Sequence, residues 1–215
     1  MRVEDCEGRL GPALAAVRPL AGARVLEVGA GTGRLTELLV AGGAHVLACD
    51  AAFAMLAEAR RRQALARVPL LRADAVALPF AGGWADLAVA GWVFGHFSEW
   101  EGDRWRDRVD RALAEMERAL APRGALVVLE TLGTGPAFAG GPAAPTPALA
   151  RYYAYLEGLG FVRVEVATDY LFADVDEAVS VCGWFFGEAL AEAIRASDSR
   201  RVPEWTGLWS RAAPA

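Results

Sequence analysis

The sequence contains no lysine: all 22 basic residues are arginine. A GC-rich genome or a thermophilic host would each produce that bias, and the chemical consequence is the same. Mechanisms through a lysine Schiff base or a lysine general base are excluded. Histidine is nearly as scarce, with two residues, and the three cysteines (Cys6, Cys49, Cys182) lie far apart with no Cys-x-x-Cys pair. That count and spacing argue against a disulfide framework and a zinc cluster, and no His/Asp/Glu spacing supports another metal site. Long apolar runs are missing too. Gly, Pro or a charge interrupts each before the roughly 18 residues of a membrane-span candidate. The N-terminus, "MRVEDCEGRL", is acidic and has no apolar signal core, so a cytoplasmic protein is expected.

What is present is a globular, apolar chain of 215 residues, 54% hydrophobic, long enough for one sizeable core and expected to form a single domain. A net charge of −5 without a concentrated basic surface disfavours nucleic acid and other polyanions. The one basic cluster, Arg60-Arg61-Arg62, falls at the end of an expected helix, where cations suit the dipole.

Apolar strands and helical patterns alternate. "VLEV", "AHVLACD", "VPLLRAD", "ADLAVAG" and "ALVVLE" read as five buried strands. Between the last two, Trp105, Val109, Leu113, Met116 and Leu120 recur at helical spacing until Pro122 and Gly124 stop the pattern. Helices between apolar strands build a parallel sheet covered on both faces. Residues 131–147 hold four Gly and four Pro and read as a long loop. Residues 133–145 suit a mobile gate, with a fixed surface loop as the alternative. A helix around "LARYYAYLEGLG" and a strand "FVRVEVATDY" follow. One capped helix then starts at Asp174, with Glu177 at capping-box spacing, and runs through Val179, Cys182, Phe186, Leu190 and Ile194. The tail "VPEWTGLWSR" reads as a final edge strand.

The first strand ends in "VLEVGAGTGRLTELL". A loop leaving a parallel strand for a helix is where doubly wound sheets bind nucleotides, and Gly29, Gly31 and Gly33 let a ligand approach the main chain. The dinucleotide fingerprint needs a sixth-position glycine, and here that position is Arg34. No Tyr-x-x-x-Lys pair supports a nicotinamide-dependent oxidoreductase either. The stretch "LEVGAGTGRLT" instead resembles the first motif of class I S-adenosylmethionine-dependent methyltransferases, and the small-molecule branch typified by quinone-biosynthesis C-methyltransferases is the most similar.

The resemblance covers residues 22–131 well. It implies a seven-stranded, doubly wound, mostly parallel α/β sheet with the last strand antiparallel and helices on both faces. It implies S-adenosylmethionine as cofactor, S-adenosylhomocysteine as product, and a small-molecule methyl acceptor. Residues 1–21 become a lead-in or lid, and residues 132–215 complete the sheet and the acceptor side. Among cofactor residues, Glu27 suits the α-amino group, directly or through water; a solvated strand end is the competing reading. Gly29, Ala30, Gly31 and Gly33 form the cradle. Asp50, with Ala51 after it, matches the acid that binds the ribose hydroxyls, against an N-cap for the next helix. Asp74 and Ala75 match the adenine contacts, against a simple turn. Gly91 and Trp92 lie at the end of the fourth strand, under the methionine part. A catalytically silent cofactor-binding protein is the alternative from another class.

Acceptor chemistry is less marked. His96 could act as a general base or merely cap or pack; Glu130 closes the fifth strand, where acceptors commonly sit. The other histidine, His45, is structural. Tyr152, Tyr153, Trp184, Phe185 and Phe186 read as core, with the lining of an apolar or aromatic acceptor site as the alternative. The Asn/Asp-Pro-Pro-aromatic run and the Pro-Cys nucleophile of nucleobase-modifying members are both missing.

Overall fold

A computed structural model describes residues 4–100, 102–142 and 145–213. Helix α1 (Leu10–Val17) leads to strand β1 (Arg24–Val28), helix α2 (Arg34–Ala41), strand β2 (His45–Asp50), helix α3 (Phe53–Ala59) and strand β3 (Leu70–Arg72). Strand β4 (Ala85–Gly91) follows, then helices α4 (Phe94–Trp100) and α5 (Trp105–Ala119) and the long strand β5 (Leu120–Thr134). The last third holds α6 (Pro147–Gly158), β6 (Val162–Ala167), β7 (Tyr170–Leu171), α7 (Val175–Phe186), α8 (Glu188–Ser197), β8 (Arg201–Val202) and β9 (Glu204–Ala212).

The main sheet runs β3-β2-β1-β4-β5-β9-β6, and β7 pairs with β8 in a separate ribbon. The five strands from β3 to β5 are parallel, whereas β9 runs antiparallel to both neighbours. The seven-stranded doubly wound architecture is therefore as expected. Strands β4 and β5 are near-continuous apolar runs because helices cover both faces. On α5, Trp105, Val109, Leu113 and Met116 form the buried stripe, as their spacing requires. Burying each such side chain contributes roughly 1.5–3 kcal/mol. Among the described residues no helix is long and apolar enough to cross a membrane.

Three expectations need correction. The tail is not an edge strand: β9 inserts between β5 and β6, its buried residues facing helices, and β6 takes the edge. The segment after residue 130 is not a free loop either. Residues 131–134 extend β5 and pair with β9; Gly135 N donates to Pro203 O at 2.8 Å, and Trp205 Nε1 to Phe138 O at 2.9 Å. Those bonds tie residues 133–138 to β9 and the residue before it. Residues 143 and 144 of the segment, like lead-in residues 1–3, lie outside the described residues.

The third correction concerns the helix from Asp174. Its cap is as expected, with Asp174 Oδ1 accepting from Glu177 N at 2.8 Å and Glu177 Oε2 from Ala173 N. The helix nevertheless breaks at Gly187, which sits at φ 91° and ψ 170° between α7 and α8. That backbone region is essentially open to glycine alone and costs another residue about 1–3 kcal/mol. A Cβ at Gly187 meets nothing within 4 Å, so the cost is backbone strain. Gly187→Ala is expected to lower stability by about 1–3 kcal/mol in urea unfolding. An unchanged midpoint would show that the break tolerates a side chain.

Candidate functional site

The sheet changes its winding direction between β1 and β4, and ligands of such sheets bind in the crevice outside the carboxyl ends there. The glycine turn joins β1 to α2 at this point. All three glycines have positive φ (74°, 55° and 83°), but for different reasons. A Cβ on Gly29 would stand 2.1 Å from Val93 Cγ2, and one on Gly33 2.3 Å from Leu65 Cδ1. Both are packing glycines. Around Gly31 there is nothing within 4 Å, so it is the open face of the turn.

Four of the turn's donors are committed inside the protein. Gly29 N and Ala30 N both donate to Cys49 O, at 2.8 and 2.9 Å, and Gly33 N donates to Ala30 O at 2.9 Å. Gly31 N donates to Asp50 Oδ2 at 2.8 Å, while Asp50 Oδ1 accepts from Ala52 N at 2.7 Å. A phosphate cradle works through free amides, and these four are taken. The N-cap of α3 is Ala52, with no side-chain cap, so the capping alternative for Asp50 gives way to a tie between turn and strand. Each carboxylate oxygen of Asp50 keeps another lone pair for a ligand hydroxyl. Ala51 is exposed beside it, and its carbonyl accepts from Arg72 Nε at 3.1 Å.

If Asp50 holds both ribose hydroxyls, Asp50→Ala loses two charge-assisted bonds of roughly 1.5–3 kcal/mol each. Affinity for S-adenosylhomocysteine is then expected to fall at least roughly tenfold in calorimetry, with the fold intact. Equal affinity in the variant would leave Asp50 a purely structural tie.

Glu27 is not a solvated strand end. It is buried at 1% exposure, and its Oε2 has no hydrogen-bond partner. Burial drives its carboxyl up from 4.5 to about 8; Thr36 opposes that rise and the charge of Asp50 adds to it. A protonatable, unsatisfied oxygen beneath a glycine turn is costly unless a ligand meets it. An ammonium group is its natural complement.

Asp74 lies farther along the crevice and is already engaged. It accepts from Val76 N at 3.2 Å and takes Arg108 Nη2 on both oxygens at 3.2 Å. Ala75 beside it is buried. Arg108 was not legible in the sequence, because on α5 it reads as one more charge of a solvated face. At the end of β4, a Cβ on Gly91 would come within 2.9 Å of Leu35 Cδ2, so the strand end is pressed against α2. Trp92 follows with φ 56°, uncommon for a bulky residue, and the Arg34 guanidinium lies 4.1 Å from its ring centroid. Arg34 also pairs with Glu4.

Beyond Trp92 a cavity of about 430 Å³ is lined by His96, Glu130, Tyr153, Phe185 and Phe186, among others. The two catalytic candidates thus share one cavity. His96 is exposed on α4. Glu130 is buried, and its Oε1 accepts from Gly95 N at 2.9 Å and Tyr152 OH at 3.1 Å. Burial raises it from 4.5 to about 7 against those hydrogen bonds. Tyr152 is wholly core, whereas Tyr153 faces the cavity and donates to Thr131 O at 2.7 Å. Trp184 is 79% exposed and stands outside the lining. A further carboxyl, Glu204, is buried at the start of β9, bonded by Thr134 and raised to about 7 by burial. The edge-strand reading of the tail hid it.

A family model described as "Methyltransferase domain" matches residues 26–128. A demethylmenaquinone methyltransferase of Thermus thermophilus is 44% identical over 112 residues, covering 50% of this chain and 46% of the relative. One from Parafrankia sp. is 34% identical over 209 residues, covering 87% of this chain and 73% of the relative. The match thus spans less than half of the Thermus relative's length. Among solved structures, the cyclase SpnF is 20% identical with a TM-score of 0.58, covering 97% of this chain and 82% of its own. That likeness concerns the fold alone.

Proposed function

Because the chain belongs to the class I S-adenosylmethionine-dependent methyltransferase family, we propose that it transfers a methyl group from that cofactor to a small apolar or aromatic molecule. The observation that carries this reading is the pair formed by Glu27 and the glycine turn. Four of the turn's amides, those of Gly29, Ala30, Gly31 and Gly33, are spent internally, which leaves fewer to grip a pyrophosphate, while the buried Glu27 Oε2 has no hydrogen-bond partner. A cofactor with an ammonium and no phosphate meets both conditions.

The cofactor supplies a sulfonium-borne methyl group, open to in-line displacement. The protein supplies position and a desolvated pocket. Asp50 takes the ribose, Asp74 and Ala75 the adenine, and Gly91 and Trp92 the methionine end. Glu130 is the residue placed to take a proton from the acceptor, since a base poised near 7 is matched to neutral conditions. His96 lines the same cavity and is the second candidate for that role.

The test is formation of S-adenosylhomocysteine from S-adenosylmethionine across a panel of phenols, amines, carboxylates and activated-carbon acceptors. Turnover that depends on an acceptor supports the reading. Tight binding of the cofactor without turnover of any of them would favour a silent binding protein instead.

A further inference from the structure

The main sheet has two edges of different character. β3 is short, with three residues, while β6 offers six. One side of β6 is bonded to β9 from Val162↔Ser210 to Ala167↔Trp205, and among the described residues no strand pairs with the other side. Every second residue of β6 therefore turns its backbone N–H and C=O away from the sheet. The side chains are bare as well. Val162 is 66% exposed and Val164 51%, and Arg163 and Glu165 on the opposite face are exposed too. Edge strands are usually blunted by brevity, proline, a bulge or an outward charge. The strand VRVEVA has no proline, and its register with β9 is unbroken. Only Arg163 and Glu165 guard it.

Those two charges are placed so that they favour a second copy of the same strand. Identical chains pair about a two-fold axis, so a residue i opposite j also brings j opposite i. With two β6 strands antiparallel about an axis at Val164, Val164 faces its own copy, Arg163 faces Glu165 and Val162 faces Val166. Unlike charges then stand directly opposite twice, which stabilises a strand pair, and the valines cover one another on the other face. An axis at Arg163 or Glu165 would instead set like charges against each other. Within one chain Arg163 is loosely held. Its Nε lies 3.6 Å from Glu157 Oε1 and its Nη2 3.6 Å from Glu165 Oε1. Exposed pairs of this kind contribute little, so both groups are available to a second chain.

We propose that β6 pairs antiparallel with β6 of a second copy about a two-fold axis at Val164, joining the two seven-stranded sheets into one. The inference does not rest on the methyltransferase reading. In the sheet order β9, β5 and β4 separate β6 from β1 and its glycine turn, so pairing leaves both crevices open. The exposed Trp184 and Phe185 on α7 form a second apolar surface able to pair, and the experiment separates the two.

Sedimentation equilibrium of the full chain at about 100 μM, a concentration suited to an interface of small area, should give twice the 22.8 kDa of one chain. Val164→Lys sets two ammonium groups face to face at the axis and should weaken the dimer at least roughly tenfold. Trp184→Ser should leave the dissociation constant within roughly twofold. The charges allow a sharper test. In Arg163→Glu all four facing positions are acidic and in Glu165→Arg all are basic, so each variant alone should dissociate at least roughly tenfold more readily. Mixed in equal amounts the two should dimerise again, because each acid then meets an arginine. Circular dichroism of every variant should match the wild type, since the altered side chains are exposed. A monomeric wild type, a dimer that survives Val164→Lys, or charge variants that stay monomeric when mixed would overturn the proposal. Loss of the dimer in Trp184→Ser would move the interface to α7 and overturn it as well. Failure of the wild-type chain to bind S-adenosylhomocysteine would strike the methyltransferase reading alone, and the masses would still decide the edge.

Discussion

Gly31→Val is expected to abolish binding of S-adenosylhomocysteine while circular dichroism stays near wild type. Two causes act together. At φ 55° a β-branched residue is strained, which alone costs about 1–3 kcal/mol. The larger effect is spatial: nothing lies within 4 Å of the position its Cβ would take, so the side chain would stand in the space read as the ligand's. The same substitution at Gly29 or Gly33 would collide with Val93 or Leu65 and damage the fold first. Gly31 is therefore the diagnostic position. Retained affinity in a folded Gly31→Val chain would mean that no ligand approaches the open side of the turn.

Glu130→Gln should lower kcat by roughly 10² to 10⁴, the usual range for loss of a general base, with S-adenosylhomocysteine affinity unchanged. The isosteric amide can still accept from Gly95 N and Tyr152 OH, so α4 keeps its anchor. The sign of the pH effect follows from the burial of Glu130. Its carboxyl stands near 7, so the base form is lost as pH falls through that value, and kcat/KM should decline on that acidic side. In the variant this limb should vanish. The same shift is linked to stability, because the folded value lies above the unfolded one: the contribution of this group is fully present below about 4.5 and is lost as pH rises through about 7. Unaltered kcat in Glu130→Gln would reduce Glu130 to a positioning residue for α4.

Much of this fold was legible because local pattern and global architecture agree. The apolar runs that became β1, β2, β4 and β5 are bounded by turn residues, and the stripe on α5 has helical period throughout. Strand order is different in kind. Nothing in "VPEWTGLWSR" states that it will pass between β5 and β6 rather than beside them, since pairing partners lie tens of residues away. The run from Val179 to Ile194 misled for a physical reason as well. Two short helices packed against each other each need an apolar stripe, and here the stripes happen to stay in phase across Gly187.

The candidate site divides in the same way. Its residue types were readable from the motif, but their tasks depend on contacts at long range. Three glycines at alternate positions look equivalent until Val93 and Leu65 are seen against two of them. Asp50 was read as a ligand residue or a helix cap, and it proves to tie down Gly31, nineteen residues earlier. Arg34 stood out only as a departure from the dinucleotide pattern, whereas it stacks on Trp92 and lines two cavities with it. Glu4 and Arg108, which pair with Arg34 and Asp74, carried no signal at all.

The central claim is that the crevice at β1 holds S-adenosylmethionine with Glu27 against its ammonium group. Titration calorimetry of S-adenosylhomocysteine and of NAD, at pH 7 in buffers of different ionisation enthalpy, tests it most directly. In the free protein the Glu27 carboxyl, raised to about 8, is mostly protonated at that pH. An ammonium placed beside it would stabilise the carboxylate and expel the proton. The expected result is binding of S-adenosylhomocysteine with release of about one proton, binding without that release in Glu27→Gln, and no heat with NAD. Binding of NAD in place of S-adenosylhomocysteine, or equal proton release in the Glu27→Gln variant, would contradict it.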